Sequence, residues 1–204
     1  MKKYLSYSSI RYLLSTDDLS LLKKNENYYE SSEVVIMLSN NQKQKDTLLS
    51  GEKIITECKN KNTQYALCKI AYYSYNPILS FFIHLVKPLK RKSVTKGYGI
   101  YKTKLSWILE QNLTRGIRNR HNAYQLKNKR WYVPEEERLN KYNQLVSSLK
   151  DGYKFEFPLL IGLNRHMGIK DQLLQGHHRI GVCQELNIED ISISFWAFPQ
   201  SVFK

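Results

Sequence analysis

The C-terminal part of this chain predicts a small α/β (α+β) fold, and three observations predict it. A helical period runs from Pro134 to Lys150. Two short apolar runs follow at 157–161 and 172–175, and an alternating run closes the pattern at 191–196. Between the last two lies a polar pentad led by glycine, Gly176-His177-His178-Arg179-Ile180. Helix, strand, strand, helix, strand is the order of a small mixed sheet with flanking helices.

In chain order, residues 1–57 carry little chemistry. Ile10 to Leu22 mixes apolar and polar residues without a clear period. Val34 to Leu38 reads as a buried strand ended by Ser39-Asn40-Asn41, and Thr47 to Lys59 as a short helix or a strand pair. Tyr65 to Tyr75 reads as a helix stopped by Asn76-Pro77. Ile78 to Val86 is apolar and runs into Lys87-Pro88-Leu89-Lys90-Arg91-Lys92. That pattern suits a buried helix with cations at its C-terminal dipole, or an anchor on an anionic membrane surface. Gly97-Tyr98-Gly99 reads as a turn, and Lys104 to Leu113 as a helix with Leu105, Ile108 and Leu109 on one side.

From Pro134 the pattern sharpens. Leu139, Tyr142, Val146 and Leu149 recur on one face of a 3.6-residue period, and Asp151-Gly152 ends that helix. Phe157 to Ile161 and Gln172 to Gln175 read as strands joined through a turn at Asn164 to Gly168. Arg179 to Leu186 reads as a helix burying Ile180, Cys183 and Leu186, and Ile191 to Trp196 as the last strand.

The 204 residues carry a formal net charge of +14, unevenly placed. Between Cys58 and Pro134 there are 16 Lys or Arg and one acid, Glu110. Such a field favours a polyanionic partner: nucleic acid, an anionic membrane surface, or a phosphorylated glycan or lipid. Arg115 to Arg130 interleaves cations with Tyr124, next to Trp131, which suits single-stranded nucleic acid and equally a groove for a phosphorylated small substrate. Three widely spaced cysteines form no Cys-x-x-Cys pair, so neither a zinc site nor a disulfide framework is indicated. No signal peptide and no run of about 18 apolar residues is visible. A cytoplasmic protein is expected, with membrane association at the inner face as an option.

The pentad suits phosphate. A glycine between strand and helix lets a ligand approach backbone N–H groups at the helix start, and imidazoles and a guanidinium complement the charge.

This order of elements, with Pro158-Leu159-Leu160-Ile161 as first strand and Gly176-His177-His178-Arg179 after the second, resembles the ParB/sulfiredoxin superfamily over residues 131–198. The resemblance implies a nucleotide-binding domain spanning 101–204, preceded by a region of unidentified type at 1–100. His177 stands where sulfiredoxins carry their nucleophilic cysteine, and the middle histidines depart from the Gly-Glu-Arg-Arg of CTP-binding partition proteins. The Gly-His-His-Arg branch is similar to free serine kinases. It implies ATP or ADP as nucleotide (CTP as a variant), Mg²⁺ held largely by phosphate oxygens, and a nucleotide-dependent phosphotransferase acting on a small-molecule, glycan or lipid-linked hydroxyl. In that reading Gly176, His177, His178 and Arg179 hold phosphates and Glu136 or Glu135 accepts the proton. Arg165 and His166 bind acceptor or phosphate. Pro134 replaces the branch's histidine and Gln175 its aspartate, with Asp171 the nearest substitute carboxylate. The alternative is a ParB-type nucleic-acid-binding or nuclease-like protein using its basic segment 58–134.

Overall fold

The computed structural model describes residues 4–39, 44–74, 99–111, 113, 134–163 and 171–197. The fold is mixed α+β, with two mixed sheets. The first contains β1 (Tyr4–Tyr7), β2 (Tyr12–Ser15), β3 (Lys23–Lys24), β4 (Val34–Met37), β5 (Thr47–Ser50) and β6 (Tyr65–Ser74). Its helices are α1 (Thr16–Ser20) and α2 (Glu52–Asn60). The second contains β7 (Ile100–Lys104), β8 (Leu159–Leu163), β9 (Gln172–Gln175) and β10 (Asp190–Ala197), with α3 (Leu105–Glu110), α4 (Glu135–Lys150) and α5 (His177–Glu185). The expected succession of helix, strand, strand, helix and strand is present as α4, β8, β9, α5 and β10.

One element differs from expectation. Tyr65–Ser74 is a strand, not a helix. Ala66, Cys68 and Ile70 are buried while Leu67 between them is half exposed, the two-residue alternation of a sheet. Ala71 and Tyr72 extend the apolar run beyond that alternation, and a continuous apolar run fits either period.

The two sheets are built alike. Strand order is β2-β6-β4-β5 in one and β7-β10-β8-β9 in the other. Val34 pairs in parallel with Cys68, and Leu159 with Ile193, so each partner lies 125 residues from its counterpart. Both hairpins carry a register shift at the same place, between Val35 and Ile36 and between Leu160 and Ile161. The leading strands correspond too: Tyr12 pairs with Cys68, and Tyr101 with Ile193. Thr16 N–H donates to the Gln64 carbonyl, and Leu105 N–H to that of Glu189. These counterparts are 89 residues apart. The 36-residue difference falls between Leu113 and Leu159, where the second lobe carries α4.

The chain is therefore a tandem repeat of one βα–ββαβ lobe. Its sequence trace is Asp-x-Leu-Leu-x-Gly-x3-Ile-x2-Cys-x3-Asn, present as Asp46 to Asn62 and as Asp171 to Asn187. Each shared residue has a structural task. Leu48, Leu49, Leu173 and Leu174 are buried, as are Ile55 and Ile180. Gly51 and Gly176 start the helices with φ of 93° and 106°. Asn62 and Asn187 end them with φ of 54° each. After each helix, Thr63 and Ile188 N–H donate to the carbonyls of Cys58 and Cys183, the 6→1 bond of a Schellman ending.

The lobes share one core. Tyr12, Leu14, Ile70, Tyr101, Ile108, Leu159, Ile180 and Ile193 belong to a single buried cluster. Phe195 lies between Tyr12 and Tyr101, with ring centroids 4.6 and 5.9 Å away.

Candidate phosphate loop and lobe junction

The Gly-His-His-Arg junction forms where β9 meets α5. Gly176 adopts a left-handed conformation that other residues rarely take, and a Cβ there would lie 2.3 Å from Leu159 Cδ2. The position thus requires glycine for both conformation and space. His177 is buried, whereas His178 and Arg179 are half buried. No acid occupies the first turn of α5, so no carboxylate there offsets the partial positive charge of the helix start.

Arg179 also serves the fold. Its Nη1 donates to the Tyr153 hydroxyl at 3.1 Å and to the Phe157 carbonyl, and the Tyr153 hydroxyl donates to the same carbonyl at 2.8 Å. The contacts tie the start of α5 to the segment joining α4 and β8. Burial raises the Tyr153 hydroxyl pKa, with the neighbouring guanidinium opposing it. A guanidinium has five N–H donors in a fixed fork, and these bonds engage Nη1 alone. Burial pushes the Cys183 thiol up to about 11, again opposed by Arg179, so it is a protonated core side chain at neutral pH.

The glutamates of α4 are not brought to this loop. Tyr142 on α4 donates to Glu185 at the end of α5, whereas Arg179 at the start of α5 meets Tyr153, beyond the end of α4. The two helices therefore run antiparallel. At 1.5 Å per residue, Glu136 lies on the order of 20 Å from the first turn of α5. Its side chain is exposed. Glu135 occupies the same first turn of α4. Asp171 is no substitute carboxylate either. It precedes β9, about 16 Å of extended chain from Gly176. Arg165 and His166, the turn at 164–168, residues 75–98 and the basic run 115–130 lie outside the described residues.

Asp171 instead belongs to a pair of contacts that the sequence analysis missed. The Tyr12 hydroxyl donates to Asp171 Oδ2 at 2.7 Å, and the Tyr101 hydroxyl donates to Asp46 Oδ2 at 2.8 Å. Tyr12 corresponds to Tyr101 and Asp46 to Asp171, so each lobe's tyrosine binds the other lobe's aspartate. Backbone N–H groups of Ser9 and Ser39 complete the two carboxylates. All four side chains are buried. Burial raises the Asp46 pKa against the pull of the Ser39 N–H and the Tyr101 hydroxyl. Burial, then the facing carboxylates, hold both phenols well above their usual value. The repeated Asp-x-Leu-Leu-x-Gly was the signal that could have found the pair.

Neither protein-family models nor curated proteins nor solved structures match this chain. The molecule's own repeat supplies a comparison instead. At the matched first turn, α2 reads Glu52-Lys53-Ile54 and α5 reads His177-His178-Arg179. Glu52 pairs with Lys24 at 2.6 Å, and its N–H faces the Tyr28 hydroxyl at 3.4 Å. In the first lobe, the carboxylate thus offsets the helix start's positive end and a local hydroxyl caps one of its N–H groups.

Among the described residues no group of three His, Cys, Asp or Glu side chains is placed to hold a metal ion. Also among them, no helix is long and apolar enough to cross a membrane.

Proposed function

We propose that the second lobe binds a nucleoside phosphate at the first turn of α5 and that it is a ParB/sulfiredoxin-like nucleotide module. The observation that carries this reading is the divergence of two otherwise parallel lobes at one turn. Where the first lobe places an acid and an aliphatic residue, Glu52 and Ile54, the second places His177 and Arg179. The first lobe folds with Ile54 there, and the bonds of Arg179 to Tyr153 and Phe157 engage Nη1 alone. A phosphate would use the rest of the fork, because backbone N–H groups and guanidinium donors complement its oxygens together.

The donors fit phosphate, and His178 and Arg179 are the side chains that would hold it. A bound Mg²⁺ would supply further charge neutralisation, taken up mainly by phosphate oxygens. The reaction attached to this site is transfer of a phosphoryl group to a hydroxyl acceptor. Positioning and electrostatic stabilisation carry most of such a step. Glu136, at the far end of the α4–α5 pair, is not its proton acceptor.

The test is thermal denaturation with ATP, ADP and CTP. A nucleotide at about 100 times its dissociation constant adds about 2.7 kcal/mol, a rise of roughly 5–10 °C for a chain of this size. Arg179→Lys keeps the charge but loses the planar fork, and should reduce the rise. No rise with any nucleotide overturns the proposal.

A further inference from the structure

A cleft of about 450 Å³ opens at the lobe junction, at the opposite end of β9 from Gly176. Arg11 and Lys69 line it from the first lobe, with Ser9 and Leu67, and Trp107 and Gln111 line it from α3 of the second. Ser9 also fixes its floor. The Ser9 N–H donates to Asp171, and the Ser9 hydroxyl accepts from the Asp171 N–H at 2.9 Å. The cleft wall is therefore pinned to the buried Tyr12–Asp171 contact.

The repeat supplies a control for this site. The matching place in the other half is a hollow of about 100 Å³ lined by Asp18, Leu22, Gly99 and Ile100. By the same 89-residue correspondence, Asp18 stands for Trp107, Leu22 for Gln111, Gly99 for Ile10 and Ile100 for Arg11. In that hollow the Asp18 carboxylate accepts the Lys102 N–H at 2.6 Å, so it is committed to the fold. One copy of the place is small, and its carboxylates Asp18 and Asp46 are bonded within the fold, beside Lys45. The other is enlarged and carries two cations, an indole and a carboxamide. Fold maintenance explains the first and not the second.

We infer that the enlarged cleft binds a nucleotide unit, with the base against Trp107 and the phosphate on Lys69 and Arg11. The volume lies in the range of small-ligand pockets, and the cleft is wide open to solvent, so a ligand would lie along it instead of being enclosed. Among the described residues, the cations have replaceable partners. Arg11 pairs with Glu33 across exposed surface, a contact of little net worth, and Lys69 rests 5.1 Å from the Tyr7 ring centroid. Trp107 is braced from behind by Tyr12, 5.4 Å away, which fixes the stacking platform. Gln111 offers a donor and an acceptor for a base edge. Asp171 lies beneath the floor, buried, with Oδ2 accepting from Tyr12 and from the Ser9 N–H. This site is separate from the α5 turn, about 16 Å away along β9.

Fluorescence anisotropy of the full-length protein with labelled oligo(dT), and competition by free dTMP, test the site and distinguish a strand from a free nucleotide. Trp107→Ala should weaken binding roughly tenfold, the usual worth of one stacked base. Lys69→Gln should weaken it several-fold and flatten its salt dependence. Melting curves of each variant establish that it is folded, and Lys69→Gln, on a partly exposed side chain, is the variant least able to disturb the core. Binding to neither probe overturns the inference, as does binding that the Trp107 and Lys69 variants leave intact. Loss of oligo(dT) binding on Arg179→Lys alone would place the probe at α5 and also overturn it.

Discussion

Tyr65 and Asp190 occupy the same position in the two lobes, 125 residues apart, and hydrogen-bond to each other at 2.7 Å. Equivalent residues touch only where a pseudo-two-fold axis passes between them. That axis also relates the crossed contacts Tyr12–Asp171 and Tyr101–Asp46. The lobes are thus joined as two subunits of a symmetric dimer would be, within one chain. Lys104 adds an ion pair to Asp190 at 2.7 Å, so the junction departs from symmetry where the lobes have diverged.

The crossed contacts make a quantitative prediction. Removing either hydroxyl leaves a buried carboxylate with one donor fewer, at a cost of about 1–3 kcal/mol. Tyr12→Phe and Tyr101→Phe should therefore destabilise by similar amounts, although the residues lie in different sheets. Urea denaturation of each variant measures this. A cost at one site only would mean that the two lobes do not lean on each other reciprocally.

Asp46 predicts a pH dependence. Burial raises its pKa in the folded protein, so folding favours its protonated form. Its contribution is fully present below the unfolded-state value, near 3.9, and is lost as pH rises through the higher folded value. Asp190 runs the other way. Lys104, then Tyr65, lower its pKa, so its contribution is present above the unfolded value and lost as pH falls through the folded one. In stability–pH curves across the acid range, Asp46→Asn should remove a component that declines with rising pH. Asp190→Asn should remove one that rises with it. Curves of unchanged shape would contradict the assigned directions.

The lobe pattern was legible wherever one period was clean. Val34–Met37, Gln172–Gln175 and α4 have short apolar runs or a sustained helical face, and periodicity finds such segments. β6 was misread because Ala71-Tyr72 prolongs the apolar run at its parallel contact with β4, where both faces are covered. The repeat escaped notice because its seven shared residues are those with backbone or core tasks. The exposed positions between them differ, and the spacing between motif and leading strand changes by the length of the α4 insertion. The repeated motif marks Asp171 as a shared position, but periodicity does not point to its partner Tyr12, 159 positions away.

The glycines should rank by what a methyl group would meet. Gly152 has φ of 102° and open space around it, so Gly152→Ala carries only left-handed strain, about 1–2 kcal/mol. At Gly176 the added carbon meets the end of the fully buried Leu159 side chain at 2.3 Å. At Gly51 it meets backbone, Val34 Cα at 2.6 Å and Glu33 O at 2.7 Å, which cannot rotate away. The expected order of destabilisation is Gly51→Ala, then Gly176→Ala, then Gly152→Ala, read from urea midpoints. Gly152→Ala as the most damaging of the three would refute the packing around both helix starts.

Glu136 and Arg179 separate the two halves of the sequence-based mechanism. A proton acceptor must come within about 3 Å of the hydroxyl it serves, directly or through one water. The antiparallel run of α4 along α5 puts Glu136 several times farther from the proposed phosphate. Glu136→Gln should therefore leave nucleotide-induced stabilisation and any phosphotransfer rate within twofold of the parent, because the side chain is exposed and remote. Arg179→Lys should lower both, and should also reduce basal stability through its lost contacts with Tyr153 and Phe157. Melting with and without nucleotide distinguishes these effects, since the structural part appears in the apo protein and the ligand part only in the difference. A Glu136→Gln protein that still binds nucleotide but loses turnover by a hundredfold or more would restore the glutamate to catalysis and require α4 to swing towards the α5 turn when ligand binds.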